Sequence, residues 1–298
     1  MVENDPDARI GRLGEWLTGS GLRLAVVRPH TGEPLPASLD GYAGLVVLGG
    51  GQSAAPDPAG TAAAAPDPAG TAAAAADPAG AGAAGPWLGA CESLLRKAVR
   101  YRVPTLAICL GAQLLATAHG GRVAPAAAGP EIGPALVARR DAAGADPLFA
   151  QVPFTPDVLA WHHDEVTELP AGAVLLAAST RYPHQAFRVG PAAWGLQFHI
   201  EPDQPMVAGW VAGNRELLAS LGVDPAGLLA ATEAVLADLA EVWQPFAGRF
   251  AALVRGELAA TRPELPIRPS GPDPAGPGPA APGPAGPGPA GGRAAGDR

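Results

Sequence analysis

Cys109 stands in VPTLAICLGAQLLA, where an apolar run gives way to a helical one. Val103 to Ile108 reads as a buried strand and Gly111 to Ala118 as a helix. A nucleophile at such a strand-to-helix turn needs small neighbours. Ala107 and Gly111 flank Cys109 at minus two and plus two, the spacing of a nucleophile elbow. The N-terminal end of the helix that follows would favour the thiolate, the reactive form of the side chain. Further on, AAWGLQFHIEPD places His199 two residues before Glu201. If Trp194 to Ile200 is a strand, these two side chains share a face. A carboxylate there would hold the imidazole in one tautomer while His199 moves the proton, completing a Cys-His-Glu triad.

The elements that would position these groups follow from pattern. Ile10, Leu13, Trp16 and Leu17 fall on one helical face, and Leu22 to Val27 is a strand candidate. Tyr42 to Leu48 is another strand candidate, ending in Gly49, Gly50 and Gly51. A helix from Pro86 to about Arg100 leads into the elbow strand. Strand-like patterns recur at Ala135–Arg139, Val158–His162, Val174–Ala178, Ala186–Val189 and Ala193–His199. The pattern turns helical from Pro205 to Arg255. This order implies an open α/β sheet.

Low complexity interrupts the pattern twice. Residues 55–84 repeat with a period of ten. No unit carries a large apolar residue to bury, so the repeat reads as a flexible surface loop rather than a solenoid. Residues 263–298 are short Pro, Gly and Ala repeats and read as a disordered tail. The expected division is a domain over 1–204 with an insert at 53–85, a helical extension over 205–262 packed on it, and the tail at 263–298.

The chain has 298 residues, a formal net charge of −8 and no basic cluster, which argues against nucleic acid and anionic membranes as partners. Two cysteines give no disulfide framework, and Cys91 falls in a helical pattern as a packing residue. No membrane-length apolar run and no signal peptide is evident, and a reducing cytoplasm suits a thiolate enzyme. Adjacent His162 and His163 on a strand would point to opposite faces, so no metal is expected.

CLGAQ at Cys109, LGGG at 48–51 and LQFHIEP around His199 and Glu201 together resemble the class I, triad-type glutamine amidotransferases. GPEIG at 129–133, AWHHDEV at 160–166 and AFRVG at 186–190 extend the likeness to stand-alone domains similar to the glutaminase half of GMP synthase. The resemblance implies a flavodoxin-like, mostly parallel sheet flanked by helices, with an added antiparallel portion. It implies glutamine as substrate, cleaved to glutamate and ammonia by way of a thioester on Cys109. The backbone amides of Leu110 and of Gly50, with Gly51 next, would hold the oxyanion. Gln113 would contact the substrate amide, and backbone groups of His163 and Asp164 its α-amino and α-carboxylate groups. Glu131 has no assigned role beyond a structural hydrogen bond.

No cofactor is expected. No P-loop signature is present, so an ammonia-accepting synthetase would be a separate protein. A γ-glutamyl amide or peptide hydrolase and a non-catalytic scaffold are the alternatives. In one respect the sequence departs from the resemblance. It opens on MVENDPDARIGRL, which should be the loop after the first strand, so that strand is expected to be missing, through a start site placed too far downstream or a real truncation.

Overall fold

A computed structural model of the protein describes residues 1–55 and 85–260. The expected insert and the Pro/Gly/Ala tail lie outside the described residues, apart from their edges. Helix α1 (Gly11–Gly19) precedes strand β1 (Leu45–Val47), which is followed by α2 (Leu88–Arg100), β2 (Thr105–Ile108) and α3 (Leu110–Ala118). Seven more short strands come next: β3 (Arg122–Pro125), β4 (Glu131–Leu136), β5 (Ala138–Arg139), β6 (Asp157–His162), β7 (Asp164–Glu168), β8 (Val174–Ala178) and β9 (Ala186–Val189). Strand β10 (Ala193–Leu196) then leads to α4 (Gln204–Gly213), α5 (Arg215–Ser220) and the long α6 (Pro225–Val254).

The main sheet has the order β1-β2-β10-β9-β8-β5. Strands β1, β2 and β10 run parallel, and β9, β8 and β5 continue the sheet antiparallel. Two separate ladders, β3–β7 and β4–β6, stand beside it. Alternation along the parallel strands divides the core in two. Val46, Leu106 and Ile108 face one side with Leu13 and Leu17 of α1 and Trp243, Phe246 and Phe250 of α6. Leu45, Val47 and Ala107 face the other with α2 and α3. Helices on both faces of a largely parallel centre explain why β2 is buried throughout rather than alternating.

The first strand is not wholly missing, contrary to expectation. Val2 forms parallel bridges to both Val27 and Val47, with its N–H donated to Val46 O at 2.8 Å and its carbonyl accepting Leu48 N at 3.0 Å. Residues 1–3 thus provide a rung outside β1 rather than a following loop. Among the described residues, the 22–27 segment is bridged to the sheet through this rung and forms no named strand.

Local chemistry sets the element ends. Asp203 caps α4, its carboxylate accepting the Met206 amide at 2.9 Å, and Asp224 caps α6 ahead of Pro225. Buried Asp146 joins the antiparallel strands to the connection before β6. It accepts the Leu148 and Phe149 amides, the Trp194 indole and the Arg188 guanidinium.

Candidate active site

Cys109 sits between β2 and α3 with φ 51° and ψ −111°. A left-handed backbone is unfavourable for a residue with a Cβ, and the strained elbow turns the side chain out of the sheet. The turn is tight because α3 crosses β1 closely. A Cβ on Gly111 would come 2.2 Å from Val47 O, so only glycine fits there. The Cys109 amide is held by Leu196 O at 2.7 Å, which ties the elbow to the end of β10.

His199 and Glu201 lie beyond the end of β10, the first in an isolated bridge and the second in a bend, rather than on one strand face as expected. They meet all the same, with His199 Nδ1 2.5 Å from Glu201 Oε1. What aligns them is a pairing the sequence did not suggest. His199 bridges antiparallel to Leu159 of β6, donating its N–H to Leu159 O at 2.7 Å. Glu201 Oε2 accepts the Ile200 amide at 3.0 Å, which holds the carboxylate in place. Glu201 is fully buried and His199 is 2% exposed.

Burial by itself lowers the proton affinity of His199. The Glu201 carboxylate and, after it, the Cys109 sulfur outweigh that, and the imidazole pKa stands well above its ordinary value. Its Nε2 is buried and has no hydrogen-bond partner among the described residues. A Cβ placed on Gly49 would lie 3.1 Å from His199 Cε1 and 3.4 Å from Cys109 Cβ, so imidazole and thiol flank the same point. The Cys109 sulfur also contacts Trp161 O at 3.7 Å and the Gln197 side-chain amide at 3.9 Å.

The remaining expected residues gather around this pair, several in altered roles. Leu110 opens α3, with its amide next to the sulfur-bearing residue. The Gly51 amide is donated to Asp5 Oδ2 at 3.2 Å, so it is already engaged. Gln113 is 3% exposed and works as an internal strut, donating to Asp164 O at 3.1 Å and Gln197 Oε1 at 3.3 Å. The His163 carbonyl accepts the Ala126 amide, and the Asp164 carbonyl accepts both Gln113 and His162. Both backbone carbonyls thus already accept hydrogen bonds within the fold. The Asp164 side chain differs. Oδ2 accepts Ser53 Oγ at 2.5 Å, while buried Oδ1 has no partner among the described residues. Desolvation lowers the His163 pKa despite neighbouring Asp164, which favours the neutral ring.

His162 and Glu131 pair with each other, 3.0 Å from Nε2 to Oε2, and His162 Nδ1 faces the Asp164 carbonyl. Gln185 adds a second donor to Glu131 at 2.8 Å. Sequence reasoning overlooked Gln197, Trp161 and Trp210. Gln197 had a visible signal, a polar residue in an apolar run two positions before His199. The tryptophans had none, because their roles depend on how β6 and α4 pack.

Residues 78–204 match the model of the family described as Glutamine amidotransferase class-I. The chain carries a class-I glutamine amidotransferase domain. It is 44% identical over 99 residues to a GMP synthase [glutamine-hydrolyzing] of Thermomicrobium roseum, covering 33% of this chain and 18% of that protein. It is 32% identical over 117 residues to gamma-glutamyl peptidase 4 of Arabidopsis thaliana, covering 39% of this chain and 47% of that one. The chain therefore spans less than half the length of either relative. A solved structure of a glutamine amido transferase from Methylobacillus flagellatus superimposes with a TM-score of 0.67 at 25% identity, covering 89% of this chain and 96% of that one. The mixed sheet flanked by helices is the architecture of this amidotransferase domain. Among the described residues, no helix is long and apolar enough to cross a membrane.

Proposed function

We propose that the domain hydrolyses the side-chain amide of glutamine through a thioester on Cys109 and releases ammonia to a separate acceptor enzyme. The observation that carries this reading is the strained elbow at Cys109 facing an imidazole whose far nitrogen is 2.5 Å from a buried carboxylate. The Cys109 thiolate attacks the amide carbon, and the carbonyl π pair moves to oxygen. The Leu110 amide at the start of α3 and the Gly50 amide receive that oxyanion. The engagement of Gly51 by Asp5 favours Gly50 over it. His199 protonates the departing nitrogen, ammonia leaves, and the thioester remains. Water, losing a proton to His199, then adds to the thioester and the thiolate departs, giving glutamate. Glu201 holds the imidazole in place and stabilises its charged form.

Asp164 supplies the substrate's other anchor. Its Oδ1, buried and without a partner among the described residues, is an acceptor suited to an α-ammonium group. Gln113 positions this residue through its carbonyl rather than by direct contact with substrate. A reducing cytoplasm is the compartment this chemistry suits.

The test is ammonia release from glutamine by the full chain, alone and with candidate synthetases, alongside labelling by a glutamine-analogue diazo-ketone. Glutaminase activity lost in Cys109→Ser, with a wild-type adduct on Cys109, is the expected result. Folded wild-type protein giving neither ammonia nor adduct would leave the scaffold reading standing. The second enzymatic reading, a γ-glutamyl amide or peptide hydrolase, is favoured by the likeness to gamma-glutamyl peptidase 4. It uses the same residues and differs only in what leaves.

A further inference from the structure

The leaving group must depart next to His199 Nε2, because that nitrogen supplies its proton. The His199 imidazole is flanked on two sides. Gly49 lies close enough that a Cβ there would stand 3.1 Å from His199 Cε1. The indole of Trp210 meets the ring edge-on, with centroids 4.9 Å apart. Trp210 comes from α4, which begins three residues after Glu201, so the chain that delivers the triad carboxylate also delivers this ring. It is pinned in two ways. Its Nε1 donates to Asp7 O at 2.7 Å, and its ring stands 5.4 Å from that of Trp161. Trp161 in turn offers its carbonyl to the Cys109 sulfur. Trp210 is 7% exposed and Cys109 6%, so little space opens from the reacting atoms on this side.

We propose that Trp210 is a specificity-determining wall that restricts the departing amine to ammonia and so makes a primary carboxamide the substrate. This inference rests on the glutaminase reading and extends it by choosing between the two classes of γ-glutamyl substrate. In the acylation step the Cδ–N bond breaks, the nitrogen takes its proton from His199, and ammonia is small enough to leave without moving the indole. An anilide or peptide nitrogen carries a substituent that meets Trp210 first. A rigid, hydrogen-bonded ring excludes such a substituent better than a mobile aliphatic side chain would.

The test compares kcat/KM for ammonia release from glutamine with kcat/KM for p-nitroaniline release from γ-glutamyl p-nitroanilide, in wild type, Trp210→Phe and Trp210→Ala. Wild type is expected to prefer glutamine by about 100-fold or more, the scale at which a shaped pocket rejects added bulk. Trp210→Ala should narrow the preference by about tenfold or more, while Trp210→Phe, which keeps a flat ring, should stay within about threefold of wild type. A ratio that does not move in Trp210→Ala while Cys109-dependent glutamine turnover continues overturns the wall and leaves the glutaminase reading intact. Wild type that cleaves both substrates equally well also overturns it. Wild type that acts on neither removes the glutaminase reading and the wall with it. If Trp210→Ala fails to fold, Trp210→Leu retains the apolar packing, and the same ratio decides.

Discussion

At the residue scale, the two cysteines separate cleanly by environment. Burial, reinforced by Glu92, pushes the Cys91 thiol up to about 12, and its sulfur is turned toward Asn4 Oδ1. Cys109 sits at a helix start beside an imidazole that holds its proton tightly. Alkylation at neutral pH, mapped by peptide mass, should therefore fall on Cys109 and spare Cys91, and equal labelling of both in folded protein would contradict this. The carboxylate gives a sharper prediction. In Glu201→Gln the counter-charge to His199 is lost, so the imidazole pKa falls from its raised position and the ring holds its proton less tightly. One pKa unit is a factor of ten in proton affinity, so Cys109 alkylation at pH 7 should fall by about tenfold or more. An unchanged pH profile of alkylation would show that Glu201 does not govern the imidazole.

At the scale of elements, the decisive contact is α3 crossing β1. Gly111→Ala would drive a methyl into Val47 O, a backbone atom that cannot rotate away. Overpacking of this kind costs about 1–3 kcal/mol, and here the displaced helix also carries Leu110 and the Cys109 elbow. Urea denaturation should show that loss, with glutaminase activity falling further than stability alone explains. Equal stability would mean that α3 can slide without cost. The elbow, β2 and α3 were legible in the sequence because an apolar run followed by small residues and a helical pattern is a local signal. Strands β3 and β7 were not, since Arg122–Pro125 and Asp164–Glu168 are half polar and pair only with each other. The expected shared strand face for His199 and Glu201 was wrong for a related reason. β10 ends at Leu196, and the segment beyond it turns to bridge Leu159, a long-range pairing that local alternation cannot reveal.

At the scale of the whole molecule, the long C-terminal helix α6 is part of the main core. Trp243, Phe246 and Phe250 of α6 lie in one cluster with Leu13, Ile108 and Trp194. The site and this core are linked through protonation. The folded pKa of His199 lies above its unfolded value of about 6.5. Its contribution to stability is fully present below that value and is lost as pH rises through the folded pKa, where the folded state still binds the proton the unfolded state has released. The urea midpoint of wild type should thus fall between neutral and alkaline pH, and the fall should shrink in His199→Gln. A parallel fall in both proteins would place the titration elsewhere.

The sequence by itself singled out Cys109, His199, Glu201, the glycine loop and the α/β class, because each leaves a mark within a few neighbouring residues. Only the tertiary structure decided what surrounds them. Gln113 bonds to the Asp164 carbonyl, the Asp164 Oδ1 is buried without a partner among the described residues, Val2 supplied a rung of a strand expected to be missing, and the Trp210 ring stands edge-on to His199. Each of these depends on which segments meet across the fold, and a buried polar atom finds its partner through that packing rather than through its position along the chain.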